Sequence, residues 1–473
     1  MVVLGPGPLP PDRRTPVVLV TGFSEVARAQ ADRVARAALA AKGTVVVHHD
    51  LAELAEGVVR RTVRTHTGST ATMLELAHGC VSCTLRADLL PLLVTLAARD
   101  SVRRIVLPLD PAFEAEAVCR AIHDTVITGV IGRVDGPAGR DVRIEAVLAC
   151  VDGARWLGDA TGDDTLAERG LATADDDRTV AQVAVGQVDF ADAVLVTGTS
   201  DPLERERLGA VLARLAAQAP VAWIDDAVAT CESKDAATSD AFVDAVAPGA
   251  FEAAVACGPS EDVVAFGAAE VEALLARIPA DARRGRIFDA HAPLLRGQPP
   301  LGPECGVTLI EFAAARPFHP ARLHGALDVL FDGVVTARGR LWLATQPDEV
   351  VWLESAGGGL RVGGAGRWLA AMDESELAEV DPQRRALAAL RWDERFGDRD
   401  ISLVILAYDA DPVEIREALH WALVEDDELR LVDRAPERVA RWDDPFGDWH
   451  ADPCGDGEPT EAARPRHTRG EGQ

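Results

Sequence analysis

Lysine is almost absent from this chain: of 48 basic residues, only Lys42 and Lys234 are lysines. The skew to arginine is the expected mark of a GC-rich coding sequence and excludes nothing by itself. Other shortages exclude more. No apolar run is long enough to cross a bilayer. The opening GPGPLPPDRR has glycine and proline where a secretion signal needs an unbroken apolar stretch, so a cytoplasmic location is expected. The eight cysteines lack the spacing of a small disulfide framework, which in a cytoplasmic protein leaves thiols or metal ligands. Cations are outnumbered by 76 acidic residues, for a net charge of -28. A field of that sign repels bare nucleic acid and anionic membrane at long range, so neither direct DNA binding nor a membrane partner is expected. Contact with RNA would need a local basic patch or a protein intermediary.

Hydrophobic residues make up 48% of the 473, ample for folding but too long a chain for one core. After a flexible lead (1–16), strands at 17–20, 43–47, 103–107, 146–151 and 193–196 alternate with helices at 25–41, 85–97 and 203–218. That α/β alternation predicts a doubly wound, mostly parallel sheet over 17–277. A Pro/Gly-rich stretch at 278–306 reads as a linker or a long ordered loop. A second, smaller α/β unit spans 307–430, with strands at 307–312, 339–344, 350–354 and 401–408 and helices at 319–331 and 412–424. Its β-α-β-β-α-β order suggests a ferredoxin-like sandwich. Asp411 before Pro412 supplies an N-cap oxygen and a residue with φ already set. Residues 431–473 read as a polar tail, partly disordered.

A P-loop needs glycines that turn backbone N–H groups toward phosphate, a lysine for its charge and a Ser/Thr for magnesium. After the first strand this chain has Gly22, Phe23, Ser24, Glu25, Val26, Ala27, Arg28, Ala29 and Gln30. Gly22 and Arg28 are the residues left that can serve a nucleotide, and Arg28 is a planar fork, not a compact point charge. Two readings stay open: a bare strand-turn-helix corner, or a weakened nucleotide site. The strand at 103–107 runs into Pro108, Leu109, Asp110 and Pro111 without a Glu or Thr. The strand ending at Val196 runs into Thr197, Gly198, Thr199, Ser200 and Asp201, where guanine recognition would want Asn, Lys and Asp.

The strongest chemical signal is His78, Gly79, Cys80, Val81, Ser82, Cys83, Thr84. Two cysteines in this spacing can grip one tetrahedral zinc ion, and a following helix N-terminus favours the thiolates. Thr84 is the expected N-cap. Two more ligands must come from elsewhere; His48, His49, Asp50, Glu53, His66 and His78 are candidates, His49 and His78 foremost. A pair of reduced loop thiols is the plainer alternative. His450 and Cys454 in DPFGDWHADPC form a possible auxiliary pair, or a docked aromatic tail ending in solvated charges.

Taken together, these segments resemble the CobW-like GTPase family. Val17 to Phe23 looks like its first strand and P-loop entry, and GCVSCTLR at 79–86 like its cysteine motif, with Ser82 in place of the middle cysteine. Aligned so, Arg28 stands at the lysine position and Ala29 at the magnesium position, departures that argue against hydrolysis of GTP with magnesium. RPFHPARLH, GVVTARGRLWLAT, SAGGG and WDERFGDR look like the family's C-terminal domain. Phrases such as AHGCVSC, VDGARWL and DPFGDWH resemble a narrower actinobacterial subfamily, called GTPases, that recruits a ribosome hibernation factor under zinc-poor conditions. The resemblance implies a zinc-responsive adaptor with that factor and the ribosome as partners. A GTP-dependent zinc metallochaperone is the alternative, and a zinc store without a partner is a third. Arg60, Arg61 and Arg64 are one patch for a ribosomal contact, or simply a solvated charged face.

Overall fold

The computed structural model describes residues 12–76, 80–130, 132–172, 176–199, 201–224, 267–287 and 289–447. In chain order the strands of the first unit are β1 (Thr15–Gly22), β2 (Thr44–Asp50), β3 (Val58–Thr65), β4 (Gly68–Glu75), β5 (Arg104–Pro108), the short β6 (Val126–Ile127) and β7 (Gly136–Pro137), β8 (Val142–Asp152), β9 (Ala193–Thr197) and β10 (Val221–Trp223). Eight of them form one sheet in the order β10-β9-β8-β1-β5-β2-β3-β4. The strands from β10 to β2 are parallel. Their runs VVLV, IVL and AVLV are apolar at every position because helices cover both faces. On one face α1 (Glu25–Ala38) buries Ala27, Ala31, Val34 and Ala35. On the other, Leu85, Leu89, Leu93 and Phe113 pack together. The doubly wound layout is as the alternation implied. The β3–β4 hairpin, whose β3 runs antiparallel to β2, was not expected.

The chain winds from β1 outward to β2, returns through β5, and then crosses to β8 on the other side of β1. That reversal sets the crevice where open α/β sheets take ligands, at the carboxyl ends of the strands. Gly22, the last residue of β1, pairs there with Cys150 of β8.

The second unit contains β11 (Val307–Ala314), β12 (Val334–Leu341), β13 (Glu349–Ala356), β14 (Gly359–Arg367) and β15 (Ile401–Tyr408), antiparallel in the order β11-β15-β12-β13-β14. β11 and β12 both run against β15, so the helix Pro320–Ala326 between them makes a split β-α-β unit. The sheet carries one strand more than the ferredoxin-like pattern, because the glycines at 357–359 turn the chain into β14. β12 also begins earlier than its sequence suggested, and Gly339 lies inside it. A Cβ at Gly339 would sit 2.0 Å from the Ser402 carbonyl oxygen, so the close approach of β15 requires glycine there. Asp411 caps its helix as expected, accepting the Val413 N–H at 2.8 Å.

The folded part continues past residue 430. The helix Asp426–Arg434 is followed by Trp442, which stacks on His319 at 4.7 Å, and by buried Phe446. Asp444 accepts hydrogen bonds from Thr345 Oγ1 (2.5 Å) and Gln346 Nε2 (3.0 Å). His450 and Cys454 lie outside the described residues.

The two units share an apolar seam. Ala181, Ala184, Val185 and Val188 of the helix Val180–Asp189 meet Val335, Ala356 and Leu406 of the second sheet. At its end Asp189 is paired with Arg338 of β12, with Arg283 at 3.7 Å and Arg296 at 3.9 Å. Burial alone would raise the Asp189 carboxyl; the arginines, Arg338 foremost, outweigh it and hold it below its usual range. Burial pushes the Arg296 guanidinium down to about 10.

The stretch at 278–306 is tied down where it is described. Arg214 donates to Gly302 O at 2.7 Å, and Arg391 donates to His291 O at 3.1 Å. The buried His291 ring lies edge-on to Trp368 at 6.4 Å. Burial, and then Arg384, lower its pKa from 6.5. A histidine depressed in the fold binds its proton more readily when unfolded, so its contribution is intact above pH 6.5 and lost as pH falls below. Thermal unfolding is therefore expected to shift to lower temperature from pH 7.5 to 5.5, and by less in a His291→Gln variant. An equal shift in both proteins would remove His291 from the account.

Candidate metal and nucleotide sites

At the end of β1 the chain enters α1 through only Phe23 and Ser24. Ser24 Oγ accepts the Ala27 N–H (3.2 Å) and donates to Asp152 Oδ2 at the end of β8 (3.0 Å). The Arg28 N–H bonds back to Ser24 O at 2.8 Å, so the helix has already begun. A Cβ at Gly22 would stand 2.6 Å from the Ala27 carbonyl oxygen, so the first turn of α1 rests directly on the strand. Phe23 is buried against Leu166, Val180 and Val183. The space behind this corner, lined by Ser24, Asp152, Trp156, Asp159 and Gln187, is about 10 Å³, on the order of one water molecule. A phosphate cradle needs a wide loop of N–H groups, and here one of the first of them is spent on Ser24. The Arg28 side chain is exposed on α1. Gly22 and Arg28 share this corner as backbone only.

The cysteine pair opens the next helical stretch. Cys80, not Thr84, is its N-cap: the Cys80 sulfur accepts the Cys83 N–H at 3.3 Å. Thr84 is buried and its hydroxyl points back to Cys80 O at 3.3 Å. Both sulfurs belong to half-buried, reduced residues. The helix runs on through a π-helical turn (Leu85–Leu89) into Leu90–Ala97. Buried Cys119 and Cys150 have thiols pushed far up by burial, and neither suits metal.

Among the described residues, the expected additional ligands are not gathered around the pair. His49 is buried, and its Nε2 lies 2.7 Å from Asp88 Oδ2 on the π-helical turn. Arg61 pairs with the other Asp88 oxygen. His48 Nδ1 meets Pro108 O at 3.0 Å, Asp50 pairs with Arg60 at 2.5 Å, and His66 is exposed on the β3–β4 turn. Glu53 precedes a short turn of helix and His78 lies outside the described residues. Among the described residues no three His, Cys, Asp or Glu side chains are placed to hold one ion. Sequence reading missed Asp88, although it follows Cys83 by only five residues. The arginine patch is likewise partly neutralised, since two of its three members are paired.

A doubly wound sheet with a strand-turn-helix corner at its switch point, a paired-thiol motif and an appended antiparallel domain defines a nucleotide-binding-type α/β protein. The chain belongs to the CobW family: residues 40–222 match the CobW/HypB/UreG nucleotide-binding domain, and residues 307–423 match the cobalamin synthesis protein cobW C-terminal domain. The first match begins after α1. A Mycobacterium tuberculosis protein named zinc chaperone Rv0106 is 44% identical over 446 residues, 93% of this chain and 95% of the relative. The Dictyostelium discoideum zinc-regulated GTPase metalloprotein activator 1 is 22% identical, over 76% of this chain and 67% of that protein. The Zn(II)-bound YjiA GTPase of E. coli superposes with a TM-score of 0.35 at 13% identity, over 87% of this chain and 99% of that one. No helix among the described residues is long and apolar enough to cross a membrane.

Proposed function

We propose that this protein is a zinc carrier of the metallochaperone type, holding Zn²⁺ as cargo at Cys80 and Cys83 and releasing it to a client protein in the reducing cytoplasm. The carrying observation is the Cys80–Cys83 pair at a helix start, with no third donor beside it among the described residues. A structural zinc site is closed by four protein ligands; two thiolates leave positions that a client's own donors can enter. The metal then leaves by ligand exchange. The names of the mycobacterial and Dictyostelium relatives support zinc handling. The filled corner at Gly22–Ser24 favours exchange without GTP hydrolysis at that loop. Two measurements test this. Metal analysis is expected to find zinc that a strong chelator removes without unfolding the protein. Calorimetric titration with GTP and magnesium is expected to show no tight, magnesium-dependent binding. A snug magnesium–GTP complex would restore the GTP-driven form of the chaperone.

A second reading, recruitment of a hibernation factor to the ribosome, rests on the subfamily phrases around Cys80 and in 444–450. Pull-down from ribosome-containing lysate at low and high zinc tests it. Association in neither condition ends it.

A further inference from the structure

The outer edge strand of the large sheet ends five residues before Cys80 in sequence. β4 is the last strand, and nothing pairs with its far side among the described residues. The Leu76 N–H bonds to Gly57 O at 2.8 Å, and the β3–β4 pairing keeps one register from Thr65↔Gly68 to Val58↔Glu75. Antiparallel pairs alternate between bonded and non-bonded. Thr70, Thr72 and Leu74 therefore turn their backbone groups inward to β3. Ser69, Ala71, Met73 and Glu75 turn theirs outward, each with one donor and one acceptor. Exposed edges are ordinarily blunted by proline, lysine, a bulge or shortness. Gly68–Glu75 has none of these, and its one charge is at its end.

We propose that β4 takes up an extended segment of the zinc-receiving client as an added strand, with a carboxylate of that segment beside Ser69. This rests on the carrier reading above. The added strand would follow an edge that ends five residues before Cys80, which brings client donors to the cargo thiols. Charge selects the occupant. Arg60 is held by Asp50 and Arg61 by Asp88, whereas Arg64 has no ionic partner among the described residues. Arg64 stands directly across from Ser69, whose short side chain lets the guanidinium reach over to the next strand. A second copy fits poorly: edge-to-edge pairing would place Arg60 and Arg64 of both copies on one face and join two chains of net charge -28. A client strand feels mainly the local arginine, since screening at physiological salt sets in over about 8 Å.

The experiment uses the full chain and two blocked octapeptides, alternating valine–glutamate and alternating valine–lysine, read by fluorescence anisotropy. The glutamate peptide is expected to bind at least about tenfold tighter than the lysine one. Ala71→Pro removes one outward N–H and leaves the inward bonds, and should weaken the glutamate peptide about tenfold. Arg64→Glu should reverse the preference. Equal binding of the two peptides, or of Ala71→Pro and the parent, overturns the proposal. If slowed exchange at the Thr70 and Thr72 amides is lost in Ala71→Pro, the hairpin has opened and Arg64→Glu decides alone. A Cys80→Ser, Cys83→Ser protein should keep the peptide while losing zinc. Absent peptide binding with zinc retained would sink the docking strand and leave the carrier standing.

Discussion

Replacing Asp189 by alanine is expected to cost about 3–5 kcal/mol and to loosen the second unit from the first. The carboxylate neutralises a seam at which Arg338, Arg283 and Arg296 all turn inward. A buried pair adds little net stability when intact, because desolvation offsets the Coulomb gain. Removing one partner is different, since it leaves the other charge uncompensated. Arginine cannot escape by shedding its proton as a buried lysine would. Burial already lowers the Arg283 and Arg296 pKa values with Asp189 in place. Glu354, opposite Arg338 in β13, is a poor substitute, because burial raises its carboxyl and Asp189 lies close. Arg283 keeps its place over the Phe190 ring at 4.1 Å, so its cost should be smaller than that of Arg338. Urea unfolding followed by tryptophan fluorescence reads the loss, and limited proteolysis near 290–300 reads the loosening. An Asp189→Leu, Arg338→Leu pair should recover part of the loss by replacing charge with packing. Asp189→Ala unfolding at the parent's urea concentration would show that the apolar seam alone holds the units together.

The architecture was legible wherever burial leaves a one-dimensional trace. The centres of β1, β5 and β9 (VVLV, IVL and AVLV) are apolar because both faces are covered, and the strand boundaries fell within two residues of the observed ones. The β3–β4 hairpin left no such trace. Arg60, Arg61, Arg64, Thr70 and Thr72 alternate nothing, since β4 is the outer edge and is mostly exposed. The π-helical turn at Leu85–Leu89 was hidden because its leucines satisfy ordinary helical spacing. Contacts between distant residues were out of reach. Ser24 meets Asp152 across 128 positions, His49 meets Asp88 across 39, and Arg338 meets Asp189 across 149. Each of these residues has a plausible solvent-exposed reading in sequence. Only the strand order brings its partner near. The cysteine pair was found because two thiols in one turn need nothing from the rest of the chain. Its expected partner His49 lies against the Asp88 carboxylate, and a histidine at a strand end looks the same in sequence whether it faces metal or a carboxylate.

Changing Cys80 and Cys83 together to serine is expected to weaken zinc binding about a thousandfold or more, which is about 4 kcal/mol or more at 25 °C. Serine keeps an N-cap oxygen for the Cys83 position's N–H, so the helix start should survive the exchange. What is lost is the soft, ionisable donor, since a serine hydroxyl stays protonated where a thiol can give up its proton to metal. Among the described residues, the other cysteines make the effect specific. Cys119 and Cys150 are buried in the first unit with their thiols far above neutrality, and Cys305 is exposed in another part of the chain. A Cys119→Ala, Cys150→Ala protein should therefore carry as much zinc as the parent once its stability is checked. Zinc retention should also fall with pH in the parent, because protons compete for both sulfurs, and should be nearly flat in the serine variant. Competition against a chromophoric zinc chelator, read from pH 8 to 6, gives all three results. Zinc held equally by the parent and the double serine variant would place the cargo elsewhere and leave the thiols as a helix cap.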